Sequence, residues 1–246
     1  MRRYVDSVKA CYDLSVGYQT PFISGKDSMF NDFKGYNEKR ETVAISIPPT
    51  LVVSAISVIP DINKTVSPEF KFVGDVIYIL GDTNNELGAS EYFKQLSKGD
   101  IRRIGKNVPK VNIQRNLKLY QIVELVIEKG LLASSISVHS GGLALALGKA
   151  CLGGAVGVNL NIKSLKSEAL MDYQALFSES QGRIVVSVSQ KNIKVFEQFM
   201  KGISVSKIGR ITKNKKLIIT GLNNKKIIDI KISEIAKSYN KFSSNI

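Results

Sequence analysis

Val5, Val8 and Tyr12 fall at helical spacing within residues 4–16, so the chain opens on an amphipathic helix that Gly17 is placed to stop. Phe22-Ile23 then read as a short strand that delivers Gly25 into the polar run Lys26-Asp27-Ser28. Residues 33–40 are polar and contain Gly35, which predicts an exposed loop or hairpin. Pro48-Pro49 interrupt the chain in a way that no central strand tolerates. The pattern therefore places a lobe boundary near residues 46–50, dividing the chain into 1–46 and 50–246.

Beyond that boundary β-branched runs take over. Residues 51–58 and 76–80 are apolar on consecutive positions, which predicts strands buried on both faces, the second closed by Gly81-Asp82. Helices are predicted over 86–96, with Leu87, Tyr92 or Phe93, and Leu96 inward, and over 112–129, with Ile113, Leu117, Tyr120 and Val123 or Leu125 on one stripe. The segment 97–110 between them is polar, contains Pro109 and reads as a loop. Residues 133–138 predict a strand, and Gly141-Gly142 open a helix through Leu143, Leu145, Ala146 and Ala150. A strand is then expected at 156–162, a largely helical stretch at 164–177, a polar turn at 178–183 and a strand at 184–188. The remainder predicts a helix at 193–200, strands at 205–211, 217–219 and 227–230, and a closing amphipathic helix around 232–239. Alternating strands and helices without an internal repeat predict an α/β (α+β layered) fold.

A chain of 246 residues with 43% hydrophobic content can bury a substantial core. No apolar run reaches the roughly 18 residues that cross a bilayer, and the first residues lack the apolar centre of a signal peptide, so a cytoplasmic protein is expected. Cys11 and Cys151 lie far apart, without metal spacing, and read as two buried thiols. The net charge of +14 invites a nucleic-acid reading, with local enrichment in Lys207, Arg210, Lys213, Lys215, Lys216, Lys225 and Lys226. Aromatic residues scarcely interleave there, so stacking platforms are missing and a solvated basic surface is the favoured reading.

Candidate chemistry concentrates in a few places. Gly25, Lys26, Asp27 and Ser28 combine a flexible backbone, a cation, a carboxylate and a hydroxyl, a mixture suited to a phosphorylated ligand or to a plain turn, and the spacing is not that of a Walker loop. Gly141-Gly142 at a helix start form a possible anion site. His139, the single histidine, ends a strand beside them, and its structural and phosphate-contacting readings both stand. Glu179 and Gln181 sit at a helix-to-strand turn. Asp75 and Asp82 flank a buried strand, with nothing to pair them as acid and base, and the residue types permit magnesium without specifying it.

Five blocks occur in one order: 24–32, beginning Ser24-Gly25-Lys26-Asp27-Ser28; 47–51, containing Pro48-Pro49; Leu87-Gly88-Ala89-Ser90-Glu91-Tyr92; Gly141-Gly142-Leu143-Ala144-Leu145-Ala146; and Phe177-Ser178-Glu179-Ser180-Gln181. Together they resemble the C-terminal part of the large synthetase component of the phosphoribosylformylglycinamidine synthase family, over residues 7–220. The resemblance implies the C-terminal lobe of an aminoimidazole ribonucleotide synthetase-like fold in residues 50–246, preceded by a remnant of the N-terminal lobe in 1–46. It implies an ATP-dependent carbon–nitrogen ligase of purine biosynthesis, joining ammonia to formylglycinamide ribonucleotide. Gly25 and Lys26 would contact nucleotide, and Ser28, Glu179, Ser180 and Gln181 would contact the small-molecule nucleotide substrate.

ATP and magnesium are the implied cofactors, but the family's His-Asp-x-Ser pattern before Gly-Gly-Leu is replaced here, and Ser137 stands where an aspartate would hold the metal. No metal ligand and no catalytic residue is therefore assigned within this chain. The family's catalytic histidine lies in regions that would precede Met1, so the chain alone is expected to be inactive. The implied partners are the N-terminal part of the synthetase and a glutaminase subunit or domain, none following Ile246. Two other readings are a lone nucleotide- or phosphate-binding lobe without catalysis and a basic nucleic-acid-binding protein.

Overall fold

In the computed structural model, which describes residues 2–28, 32–46, 50–98, 100, 102, 104–168 and 171–243, the chain forms two compact units, Met1–Pro60 and Asp61–Ile246. The first unit holds α1 (Arg2–Tyr18) and an antiparallel hairpin of β1 (Phe33–Tyr36) and β2 (Thr42–Ile45). The helix passes through Gly17 and ends one residue later. Gln19 takes the left-handed conformation at φ 59°, and the Thr20 N–H donates to Ser15 O at 3.0 Å, so the stop is made without glycine. The predicted strand at Phe22-Ile23 is not formed, and the hairpin is. Residues 51–58 are not a strand either: they pair with nothing among the described residues, and Val52, Ile56 and Val58 are exposed. Apolar β-branched composition favours extended backbone, but a strand needs a partner's N–H and C=O groups. Positions 29–31 and 47–49, the proline pair included, lie outside the described residues.

The second unit is built on β3 (Val76–Leu80), in which all five residues are buried as their unbroken apolar run predicts. β3 lies between β6 (Arg183–Val188) and β7 (Val205–Thr212) in a seven-stranded sheet of order β4-β6-β3-β7-β5-β8-β9. The other members are β4 (Ser134–Val138), β5 (Gly157–Asn161), β8 (Lys216–Thr220) and β9 (Lys226–Lys231). Neighbours run antiparallel except β5 and β8, which are parallel.

Side-chain alternation along β3 divides the interior into two cores. Ile77 and Ile79 face one that contains Leu143, Leu147 and Cys151 of α4 (Gly142–Gly154), Leu176 of α5 (Asp172–Phe177) and Ile232 of α7 (Ile232–Ser243). Val76, Tyr78 and Leu80 face the other, with Leu119, Val123 and Val126 of α3 (Ile113–Glu128) and Phe196 of α6 (Ile193–Phe199). Helices thus cover both faces of the sheet's β4-β6-β3 side, the layered arrangement expected. The buried stripe of α3 is Asn116, Leu119, Val123 and Val126, while the predicted Tyr120 and Leu125 are exposed, because the helix is turned to bury the polar Asn116.

Two helices are shorter than their patterns predict. α2 spans Glu91–Ser97 and not 86–96, because Ser90 caps it by accepting the Phe93 N–H at 3.3 Å and Ala89 holds a left-handed φ of 59°. Among its described residues the stretch 164–177 is α-helical only in α5. Before it, the Lys166 N–H donates to Ser206 Oγ at 2.9 Å and Ser167 bridges Thr83 in parallel fashion, so bonds to distant segments replace helical ones. Among the described residues no helix is long and apolar enough to cross a membrane.

Candidate functional site

Because β3 and β4 both run antiparallel to β6, the carboxyl ends of the first two and the start of the third meet at one end of the sheet. Three connections converge there: 81–90 after β3, 139–141 after β4, and 178–182 before β6. Gly81 makes the first turn possible. Its φ is +86°, and a Cβ there would stand 2.3 Å from the Gly182 carbonyl oxygen.

The predicted Ser-Glu-Ser-Gln turn is knitted to the 81–90 loop through both serine hydroxyls and the Glu179 backbone. Ser178 Oγ donates to Asn84 O at 2.6 Å, and the Asn84 N–H donates to Ser180 Oγ at 3.1 Å. The Glu179 N–H donates to Glu86 O at 3.1 Å. Glu179 Oε1 accepts the N–H of Gly141 at 2.8 Å and that of Glu91 at 2.9 Å. These N–H groups stand at the starts of α4 and α2, where helix dipoles favour negative charge. The anion that Gly141-Gly142 could attract is thus supplied by the chain itself. Gln181 is exposed, its Nε2 donating to Glu179 O at 3.0 Å, and His139 is exposed at the end of β4.

Beneath the turn lies Arg183, only 1% exposed. Its Nε donates to Ser180 O at 3.1 Å, Nη1 to Thr83 Oγ1 at 3.0 Å, and Nη2 to Ser178 O. Burial pushes the guanidinium down to about 10, and the charges of Glu86 and Glu179 oppose that fall. One fork of donors therefore fastens the turn to the loop. Sequence reasoning missed this residue, although an arginine entering the largely apolar strand Ile184–Val188 is itself a signal.

The 82–86 loop also lines a cleft of about 690 Å³, whose other walls include Lys110, Arg115 and Lys166. Glu86 is buried, with Oε1 accepting the Lys110 N–H at 3.0 Å, and Arg115 Nη1 pairs with Asp82 Oδ2. The polar run after β3 hinted at half of this cleft. Its cations, drawn from residues 110–115 and from Lys166, could not be read from local pattern.

Gly25, Lys26 and Ser28 belong to the other unit. There Lys26 Nζ donates to Ser28 Oγ at 2.6 Å and to Asp27 O at 3.0 Å on an exposed turn, and a Cβ on Gly25 would meet nothing within 4 Å. Ser137 is exposed on β4, and among the described residues no three His, Cys, Asp or Glu side chains gather as a metal-ligand set.

Residues 73–221 match the family model described as AIR synthase related protein, C-terminal domain. A phosphoribosylformylglycinamidine synthase subunit PurL from Carboxydothermus hydrogenoformans is 32% identical over 234 residues, covering 94% of this chain and 29% of that protein. The chain thus spans less than a third of the length of this relative. Among solved structures, Thermotoga maritima PurL complexed with FGAR has a TM-score of 0.66 at 14% identity, covering 91% of this chain and 36% of its own. The same protein complexed with ATP gives 0.57 at 16% identity, covering 71% and 28%. The shared fold and the family match over residues 73–221 lead to one conclusion: the chain belongs to the AIR synthase related family and carries its C-terminal domain.

Proposed function

We propose that this chain supplies the C-terminal part of an ATP-dependent carbon–nitrogen ligase of purine biosynthesis and acts only when joined to, or assembled with, the preceding part of the synthetase. The observation that carries this reading is the similarity to a PurL subunit along 94% of the chain. In the proposed reaction the amide oxygen of formylglycinamide ribonucleotide takes the γ-phosphoryl group of ATP. Ammonia from a glutaminase then attacks the amide carbon and inorganic phosphate leaves, giving the amidine. Gly25 and Lys26 would contact nucleotide and Ser28 substrate, because a lysine and a hydroxyl already 2.6 Å apart can both turn to phosphate oxygens. The Ser178–Gln181 turn would belong to the substrate side. Its two buried serines hold the 81–90 loop, and Gln181 is the member whose side chain is open to solvent.

Mixing the chain with the upstream polypeptide and measuring ammonia-dependent ADP release tests the reading. Activity that needs both pieces is expected. No activity at any ratio, with each piece folded, would overturn it.

A further inference from the structure

The seven-stranded sheet is covered unevenly. The core beneath α4 and α7 takes apolar residues from β5, β7 and β8, whereas no residue of β5, β8 or β9 belongs to the core beneath α3 and α6. Alternation along β5 and β8 therefore leaves Asn159, Asn161 and Ile218 on a face that no helix covers, because Val158, Leu160, Leu217 and Ile219 point into the first core. Register extends this face across four strands. Arg210 of β7, Asn159, Ile218 and Asp229 of β9 form one row, Lys231 stands opposite Lys216, and Lys226 stands opposite Thr220. Lys207 pairs with Tyr78, which faces the α3 side, so it points the same way.

Cations that are dispersed in the sequence are thus gathered on one open surface. Asp229 is the only acidic residue of β5, β7, β8 and β9, and it is held by Lys216 at 3.0 Å and Lys226 at 2.6 Å. Among the described residues, the side chains of Lys207, Arg210 and Lys231 have no ion-pair or hydrogen-bond partner, and all three are exposed.

We infer that this face docks an acidic segment of a partner protein. Charge complementarity sets the sign of the partner. Its class follows from what lies between the cations. None of the four strands carries an aromatic residue, so bases of a single-stranded nucleic acid have nothing to stack on. Asp229 stands within the patch and opposes a continuous phosphate backbone, while a polypeptide can vary its charge from residue to residue. The exposed amides of Asn159 and Asn161 can donate to and accept from a peptide backbone, and the half-buried Ile218 gives the centre an apolar contact. Four strands about 4.8 Å apart make a face about 14 Å wide, which an extended run of about five residues crosses.

Fluorescence anisotropy of the full chain with a labelled peptide of about ten residues, alternating glutamate and serine, provides the test at physiological ionic strength. The same peptide with glutamine for glutamate and an oligouridylate of equal charge run beside it. Saturable binding of the glutamate peptide is expected, tighter than that of the oligouridylate and lost with glutamine. Lys207→Glu combined with Arg210→Glu should weaken it about tenfold and Lys231→Glu about threefold. The exposed pair Lys194→Glu with Lys201→Glu, in and just after α6, carries the same change in net charge as the first pair and should leave binding unchanged. Melting curves accompany each variant, and Lys231, at the end of an edge strand, keeps the test open should the substitutions in β7 unfold the chain. Absence of binding, an equal loss in the α6 pair, or tighter binding of the oligouridylate would overturn the proposal, the last by making the face a nucleic-acid site.

Discussion

Glu179 Oε1 accepts the backbone N–H of Gly141 at 2.8 Å, tying the turn before β6 to the first residue of the α4 cap. The same oxygen receives the Glu91 N–H at 2.9 Å, so one carboxylate oxygen holds two helix starts. A bound anion would have to displace it.

Removal of that acceptor exposes its value. Glu179→Ala leaves two N–H groups without a partner and is expected to cost about 2 kcal/mol, whereas Glu179→Gln keeps an amide oxygen in place and costs about half as much. Urea unfolding of the two variants checks the order, and equal losses would show that shape and not hydrogen bonding matters at this position.

Arg183 makes a steeper case. With its three acceptors in Ser178, Ser180 and Thr83, Arg183→Met strands buried carbonyls and the nearby charges of Glu86 and Glu179, for an expected loss of about 3–5 kcal/mol. Arg183→Lys retains the charge but not the fork, and falls between Met and wild type. Chemical denaturation measures both.

Asp75 gives the fold a pH dependence of known sign. Burial raises its carboxyl above the ordinary value of 3.8, and among the described residues its Oδ2 has no hydrogen-bond partner. A folded-state pKa above the unfolded one means that the native protein keeps the proton longer. The favourable contribution is complete below 3.8 and is lost as pH rises through the raised value. Asp75→Asn should therefore be more stable than wild type at pH 7, with the advantage shrinking on acidification. Melting temperatures across pH test this, and an advantage that grows in acid would contradict it.

Gly142 has a backbone reason to be glycine. Its φ is +66°, and a Cβ would sit 2.6 Å from Leu176 O, so Gly142→Ala should cost about 2–3 kcal/mol through strain and overlap at the α4–α5 contact. Thermal unfolding measures the loss.

Much of this architecture is legible in local pattern. The apolar run Val76 to Leu80 announces a strand covered on both sides, and Gly141-Gly142 before Leu143 announces the start of α4. Where tertiary bonds outbid local ones the pattern misleads. Residues 165–168 look helical but lie along the 83 and 206 positions, and 51–58 look like a strand but pair with nothing among the described residues. The site divides in the same way. Glu179, Ser180 and Gln181 stand out as a polar turn, yet what they grip comes from residues 83–91, and the lysines of the cleft reach it from α3's approach and from the segment after β5. Convergence of that kind belongs to topology and leaves no mark on neighbouring letters.

The place of β3 in the sheet carries a cost during synthesis. Val76 pairs with Val188 on one side and Arg210 on the other, so this strand leaves the ribosome long before either neighbour exists. Until the chain has grown past Val188 five consecutive apolar residues wait with both edges open, and one edge stays open until Thr212 is made. The nascent polypeptide is thus most prone to aggregate in that interval, and chaperone capture would matter most there.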